Sequence, residues 1–170
     1  MPVSSEPVLS ETCRLWISNG VFGVTSPQIP WVCRAESGGN GLVYPRPDGC
    51  EIYTGIHVGD VDVSLQLHRQ APELDHLLDW ECVVEVSFPA ARVLEVRSEE
   101  GEGMVVDVLA LGVDGEHLRC RAHARGRDED WDSGAGDILE KYLVQLWPAP
   151  RSVEHVYKLE DEAGQARREW

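Results

Sequence analysis

Residues 50–68, CEIYTGIHVGDVDVSLQLH, alternate apolar and polar side chains on both sides of Gly59-Asp60. Strict period-two alternation rules out a helix, whose apolar residues recur every three to four positions, and requires strands with one buried face. With Gly59-Asp60 as a two-residue turn the segment is a hairpin, in which Val58 faces Val61, Ile56 faces Val63, Thr54 faces Leu65 and Ile52 faces Leu67. The other face then pairs His57 with Asp62 and Glu51 with His68. A slip of one residue would scramble this sorting, so the pattern predicts a register as well as two strands.

The same signal recurs along the chain. In WECVVEVSF the residues Trp80, Cys82, Val84, Val86 and Phe88 share one parity, ARVLEVRS continues as a strand, and SEEGEG makes a solvated turn before MVVDVLALGV. A second hairpin is expected around Asp114-Gly115. A two-residue loop there sets the following arginines opposite Ala110 and Val108, a three-residue loop sets His123 opposite Asp107, and the sequence does not choose. CRLWIS, VFGV and WVCRA are short strands, APELDHLLD is a loop with a helical turn, and DILEKYLVQLWPAP is a short helical turn leading into a strand that Pro148 ends. SVEHVYKLED alternates again, and the polar EAGQARREW is expected to fray. Many short strands with little helix predict a mainly β fold, an antiparallel β-sandwich or open barrel with one or two short helical turns, the sandwich being preferred. Neither repeats nor a linker divide the chain, so residues 1–170 are read as one domain with flexible ends at about 1–8 and 162–170.

Charge narrows the function. The chain has 30 acidic and 15 basic residues, a formal charge of -15, while 42% hydrophobic and 26% charged content is ordinary for a soluble domain. A field of this sign repels phosphate backbones and anionic lipid and attracts basic proteins, so the expected partner is a basic protein, with no nucleic acid and no membrane. No run of about 18 apolar residues is present, and MPVSSEPVLSE has neither the basic start nor the apolar stretch of a signal peptide, which places the protein in the cytoplasm. Its cysteines, five in number and without a C-x-x-C pair, argue against a zinc ribbon and fit a reducing compartment.

Against this acidity, residues 118–132, LRCRAHARGRDEDWD, place four arginines and a histidine within nine positions. Leu118, Cys120, Ala122 and Ala124 point one way along the strand, and Arg119, Arg121, His123 and Arg125 the other. One explanation is charge balance: the arginine stems lie on Val106, Val108 and Ala110 and their heads reach carboxylates on neighbouring strands. The other is a docking surface made of Arg119, Arg121, His123 and Arg125 beside the acidic loop Asp128, Asp130 and Asp132, with Trp131 as an aromatic anchor.

Catalytic and metal motifs fail on spacing. Asp128, Asp130 and Asp132 begin like a calcium loop, but the required glycine falls one place late at Gly134 and the twelfth position is Leu139. Gly38, Gly39 and Gly41 lack the Lys-Ser or Lys-Thr of a phosphate loop, and no G-x-S-x-G elbow occurs. The two His-acid rungs of the first hairpin lie roughly 20 Å apart at the strand rise, too far for one ion. The reading therefore contains no catalytic residue, no metal and no cofactor. An alternative is a small enzyme or ligand-binding protein with a pocket between the sheets that uses His57, Asp62 and His123 as polar groups.

RCRAHARGRDED and KYLVQLWPAP, with GIHVGDV and VVEVSF before them in order, resemble segments of a set of small actinobacterial proteins of unassigned function. The resemblance spans most of residues 55–150 and implies a shared fold without supplying a catalytic residue. The function that charge and missing motifs favour is an acidic cytosolic protein-binding module, an immunity protein or inhibitor that neutralises a basic toxin or nuclease.

Overall fold

The structure is a computed structural model and describes residues 6–31, 38–74, 76–129 and 138–169. Two sheets pack face to face, giving the β-sandwich that the alternation predicts. The larger sheet holds β1 (Leu9–Ile17), β5 (Gly59–Leu67), β10 (Lys141–Pro148), β9 (His117–Arg125), β6 (Cys82–Pro89) and β11 (His155–Leu159) in that order. The smaller holds β3 (Val43–Arg46), β4 (Gly49–Tyr53), β2 (Val21–Thr25), β7 (Val93–Arg97) and β8 (Glu102–Asp107). All neighbours are antiparallel except β5 and β10, which run parallel.

The inward parity of each strand supplies the core. Val61, Val63, Leu65 and Leu67 of β5, Val84, Val86 and Phe88 of β6 and Tyr142, Val144 and Leu146 of β10 meet Phe22, Val24, Ile52, Leu94 and Val96 from the smaller sheet. Each such side chain contributes about 1.5–3 kcal/mol by leaving water. Cys50 and Cys120, both buried, touch across the sandwich with sulfurs 3.8 Å apart.

Neither predicted hairpin forms. Residues 54–58 carry the chain from one sheet to the other, so β4 pairs with β2 and β3 while β5 pairs with β1 and β10. The Asp114-Gly115 segment does the same: β8 pairs with β7, and β9 with β6 and β10. Alternation tells a strand which face is buried, not which strand lies beside it, and two strands facing one core from opposite sheets show the parity of a hairpin. The expected cross-strand pairs are lost with the hairpin. Glu51 instead holds Arg46 at 2.6 Å, and His68 approaches Gln66 at 3.2 Å. The SEEGEG turn does join neighbours, β7 and β8.

Two expectations at the carboxyl-terminal end also change. Residues 138–140 are irregular, without the expected helical turn, and β10 follows as predicted. The segment expected to fray forms helix α1 (Glu162–Arg168), with Ala163 and Gly164 buried. Its free amides are all met: Asp128 accepts from Glu162 at 2.8 Å and Ala163 at 2.8 Å, Asp161 accepts from Gly164 through its side chain at 3.0 Å, and its carbonyl accepts from Gln165 at 3.3 Å.

Candidate functional site

β9 lies inside the larger sheet, between β10 and β6. Its outward face is therefore flanked by side chains of two strands and roofed by the loops that precede β6 and follow β10. Arg119, Arg121 and His123 are buried there, so they do not form the exposed basic row proposed from sequence. Glu85 on β6 sits between the first two, 3.1 Å from Arg119 Nε and 3.1 Å from Arg121 Nε. This is the charge balance expected of carboxylates on a neighbouring strand, although the arginines do not lie on Val106, Val108 and Ala110, which belong to the opposite side of the fold.

One carboxylate and two guanidiniums leave a positive charge over, and neutral acceptors absorb it. Arg119 donates to Ser87 Oγ (3.0 Å) and to the carbonyls of Ser152 (3.1 Å) and Val153 (2.9 Å). Arg121 donates to the carbonyls of Pro72 and Glu73 and to Gln145 Oε1, each at 3.3 Å, and stacks between the rings of Trp147 (5.1 Å) and Tyr157 (5.6 Å). The planar five-donor fork of arginine suits this work, which a lysine could not reproduce. The row thus staples two distant loops onto the sheet. Burial pushes the Glu85 carboxyl up, but the Tyr157 hydroxyl and the two arginines outweigh it and hold it below the usual carboxylate range.

His123 donates from Nδ1 to the Leu143 carbonyl at 3.0 Å and lies 5.3 Å from the Trp80 ring. Burial, reinforced by Arg121, overcomes that hydrogen bond and lowers its pKa to about 4, so the ring is neutral at physiological pH. Arg125 is half-buried over Trp80, 5.1 Å from the ring centre. Arg127, only 1% exposed, turns inward and grips Asp161 at 2.5 and 2.7 Å, together with the carbonyls of Gly41 and Tyr53. Asp128 is exposed but caps α1. Asp130, Trp131 and Asp132 lie outside the described residues.

The alternative pocket is not assembled. His57 is exposed in the crossing between the sheets, Asp62 is half-buried on β5 opposite Arg14 and Lys141, and His123 lies two strands away opposite Leu143 and Val83. Two strand spacings alone separate Asp62 from β9 by about 10 Å. Among the described residues no three histidine, cysteine or acidic side chains come together to hold a metal, and no helix is long and apolar enough to cross a membrane.

What remains open is the end of the row. A concavity of about 380 Å³ lies there, walled by Trp80, Arg125, Glu129, Leu139, Lys158 and Glu160. Leu78, on the 3-10 turn Leu77–Asp79 at its lip, is 95% exposed. The alternation places Trp80, Lys158 and Glu160 in strands and Arg125 in the basic row but does not bring them together; the available signal for the lip was the pair of leucines in APELDHLLD, which a solvated loop does not need.

No family model and no curated protein matches the sequence. Two solved structures resemble the fold. One is ComJ from Bacillus subtilis, described as an inhibitor of the DNA degrading activity of NucA; it superposes with a TM-score of 0.58 at 12% identity over 82% of this chain and 96% of its own. The other, described as Crocagin biosynthetic gene J, gives a TM-score of 0.51 at 12% identity over 84% of this chain and 99% of its own. At that identity the likeness shows a shared fold: this chain has the two-sheet architecture that both of those proteins adopt over nearly their whole length.

Proposed function

We propose that this protein is a cytosolic, non-enzymatic inhibitor that binds a basic protein, with a DNA-degrading enzyme as its target. The observation that carries the reading is the fold shared with almost all of ComJ, described as an inhibitor of NucA. Charge supports it. Three of the arginines that could have offset the acidity at the surface are buried, Arg119 and Arg121 on Glu85 beneath the covering loops and Arg127 on Asp161, and the chain as a whole stays at -15. An acidic surface steers a basic partner into encounter and speeds association at low salt.

The test is DNA degradation by purified NucA, and by any nuclease encoded beside this gene, with increasing amounts of the protein. Degradation should cease near one equivalent, with affinity falling as salt rises. Undiminished degradation at tenfold excess, with no complex on size exclusion, overturns the reading.

The likeness to a biosynthetic gene product favours a second reading, a small enzyme or ligand-binding protein. The dispersal of His57, Asp62 and His123 counts against it, because a ligand pocket needs convergent polar groups.

A further inference from the structure

We infer that the partner docks on the concavity beside Leu78, with that leucine as the apolar anchor and the surrounding carboxylates as the ionic rim. The inference rests on the reading above, that the protein binds a basic protein, and assigns the surface that does so.

Leu78 is the most exposed of the large apolar side chains among the described residues. It is also held still. The turn that carries it is closed by the Asp79 amide on the His76 carbonyl (2.9 Å) and the Trp80 amide on the Leu77 carbonyl (3.3 Å). Lys158 reaches across from β11 to the same Leu77 carbonyl at 3.3 Å, and Arg121 holds the carbonyls of Pro72 and Glu73 just upstream. His76 enters the turn at φ 55°, in the left-handed region that histidine, with asparagine and aspartate, adopts more readily than other side-chain-bearing residues. A turn closed by its own amides and tied down by Lys158 orders the exposed leucine in advance, and a partner that binds it loses little further entropy.

The hollow beside the leucine has the composition of an interface core with a charged rim. Trp80 and Leu139, the latter 43% exposed, give it apolar surface. Four carboxylates line it, Asp79, Glu81, Glu129 and Glu160, against two cations, Arg125 over Trp80 and Lys158, so the lining carries more acids than bases. Glu160 is paired with Lys158 at 3.3 Å, Glu81 accepts from the Gly126 amide at 3.2 Å and Asp79 lies 3.6 Å from His76. The net charge of the lining is negative, which fits a cationic partner. The larger concavity, about 410 Å³ near Val153, has one acid and one base, Glu154 and Arg151, and so no preference of sign. The occupant assigned to the Leu78 hollow is thus a lysine- or arginine-flanked segment of a basic protein with an apolar recess.

The probe is a fifteen-residue peptide rich in lysine and arginine with two leucines, titrated into the isotopically labelled full chain by NMR, beside the same peptide with glutamates for its basic residues. The basic peptide should shift amides at 77–81, 125–129, 139 and 158–160 and the acidic one should not. Leu78→Asp should weaken binding about tenfold or more, the scale of losing an anchor, and Glu129→Lys with Glu160→Lys should weaken it further, all with unchanged thermal midpoints. Shifts spread over the whole acidic surface, binding unaffected by Leu78→Asp, or no binding at all would overturn the assignment. So would the same shifts on concentrating the protein alone, which would make a second copy the occupant. Binding that requires replacement of residues 130–137 would do likewise, since the chain itself would then fill the hollow. The nuclease assay separates the two ideas. Inhibition that survives Leu78→Asp removes this surface and leaves the inhibitor reading, whereas a wild type that inhibits nothing removes that reading and leaves the peptide result standing.

Discussion

His123 shows what the roof over the larger sheet does to a single residue. An imidazole in the unfolded chain titrates near 6.5, whereas the buried ring is held at about 4. As pH falls the unfolded chain takes up the proton first. Stability is therefore full above about pH 6.5 and declines as pH drops toward 4, by about 3 kcal/mol over the window. The resonances of His123 should stay flat from pH 8 to 5, and urea midpoints should fall as the pH drops below about 6.5. His123→Gln should flatten that fall; titration of His123 near 6.5 would show that the roof does not exclude water. Glu85 adds to the loss further down, because its depressed carboxyl contributes stability only while ionised. The parity of Arg119, Arg121 and His123 was legible in the sequence. Their burial was not, because the groups that cover them, Pro72 and Glu73 on one side and Ser152 and Val153 on the other, come from loops far away along the chain.

Among the elements, α1 is the one whose attachment can be tested most directly. Asp161 is both its cap and the counter-charge of Arg127, with burial raising the carboxyl and Arg127 lowering it further, so that it titrates below its usual range. Asp161→Ala leaves a guanidinium buried without its carboxylate and should cost about 3–5 kcal/mol. Asp128→Ala removes only a cap, about 1 kcal/mol. Hydrogen exchange should show α1 amides freed in both variants, but core strands weakened in the first alone; equal effects would mean that Arg127 finds another partner. The signals for this helix stood in the sequence, with Asp161 and Glu162 at its start and Arg167 and Arg168 at its end. Its brevity and the central Gly164 hid them, and that glycine is required by contact: a Cβ there would stand 2.6 Å from Asp161 Oδ1 and 2.7 Å from Arg127 Nη2. Most strand positions were legible for the same reason that strand partners were not, but β3 has no alternation to mark it, the strand read in MVVDVLALGV ends at Asp107, and the one read in WVCRA lies, beyond Trp31, outside the described residues. Alternation records the core, and β4 and β5, like β8 and β9, see that core from opposite sides.

For the whole molecule the decisive feature is the order of the larger sheet. β10 stands between β5 and β9, parallel to the first and antiparallel to the second. A chain cut after Glu140 loses the edge strand β11 and helix α1 and, with β10, the partner of both β5 and β9 and the side chains of Tyr142, Val144 and Leu146 from the core. It should lack a cooperative urea transition and bind a hydrophobic dye, whereas a sharp transition of native slope would show that β5 and β9 can close on each other. Nine strands precede β10 in the chain, and without it the larger sheet is divided into β1-β5 on one side and β9-β6 on the other. During synthesis, then, the nascent protein stays open to proteases and chaperones until β10 has cleared the ribosome. Only after that point would the surface around Leu78 be complete for the target proposed for it.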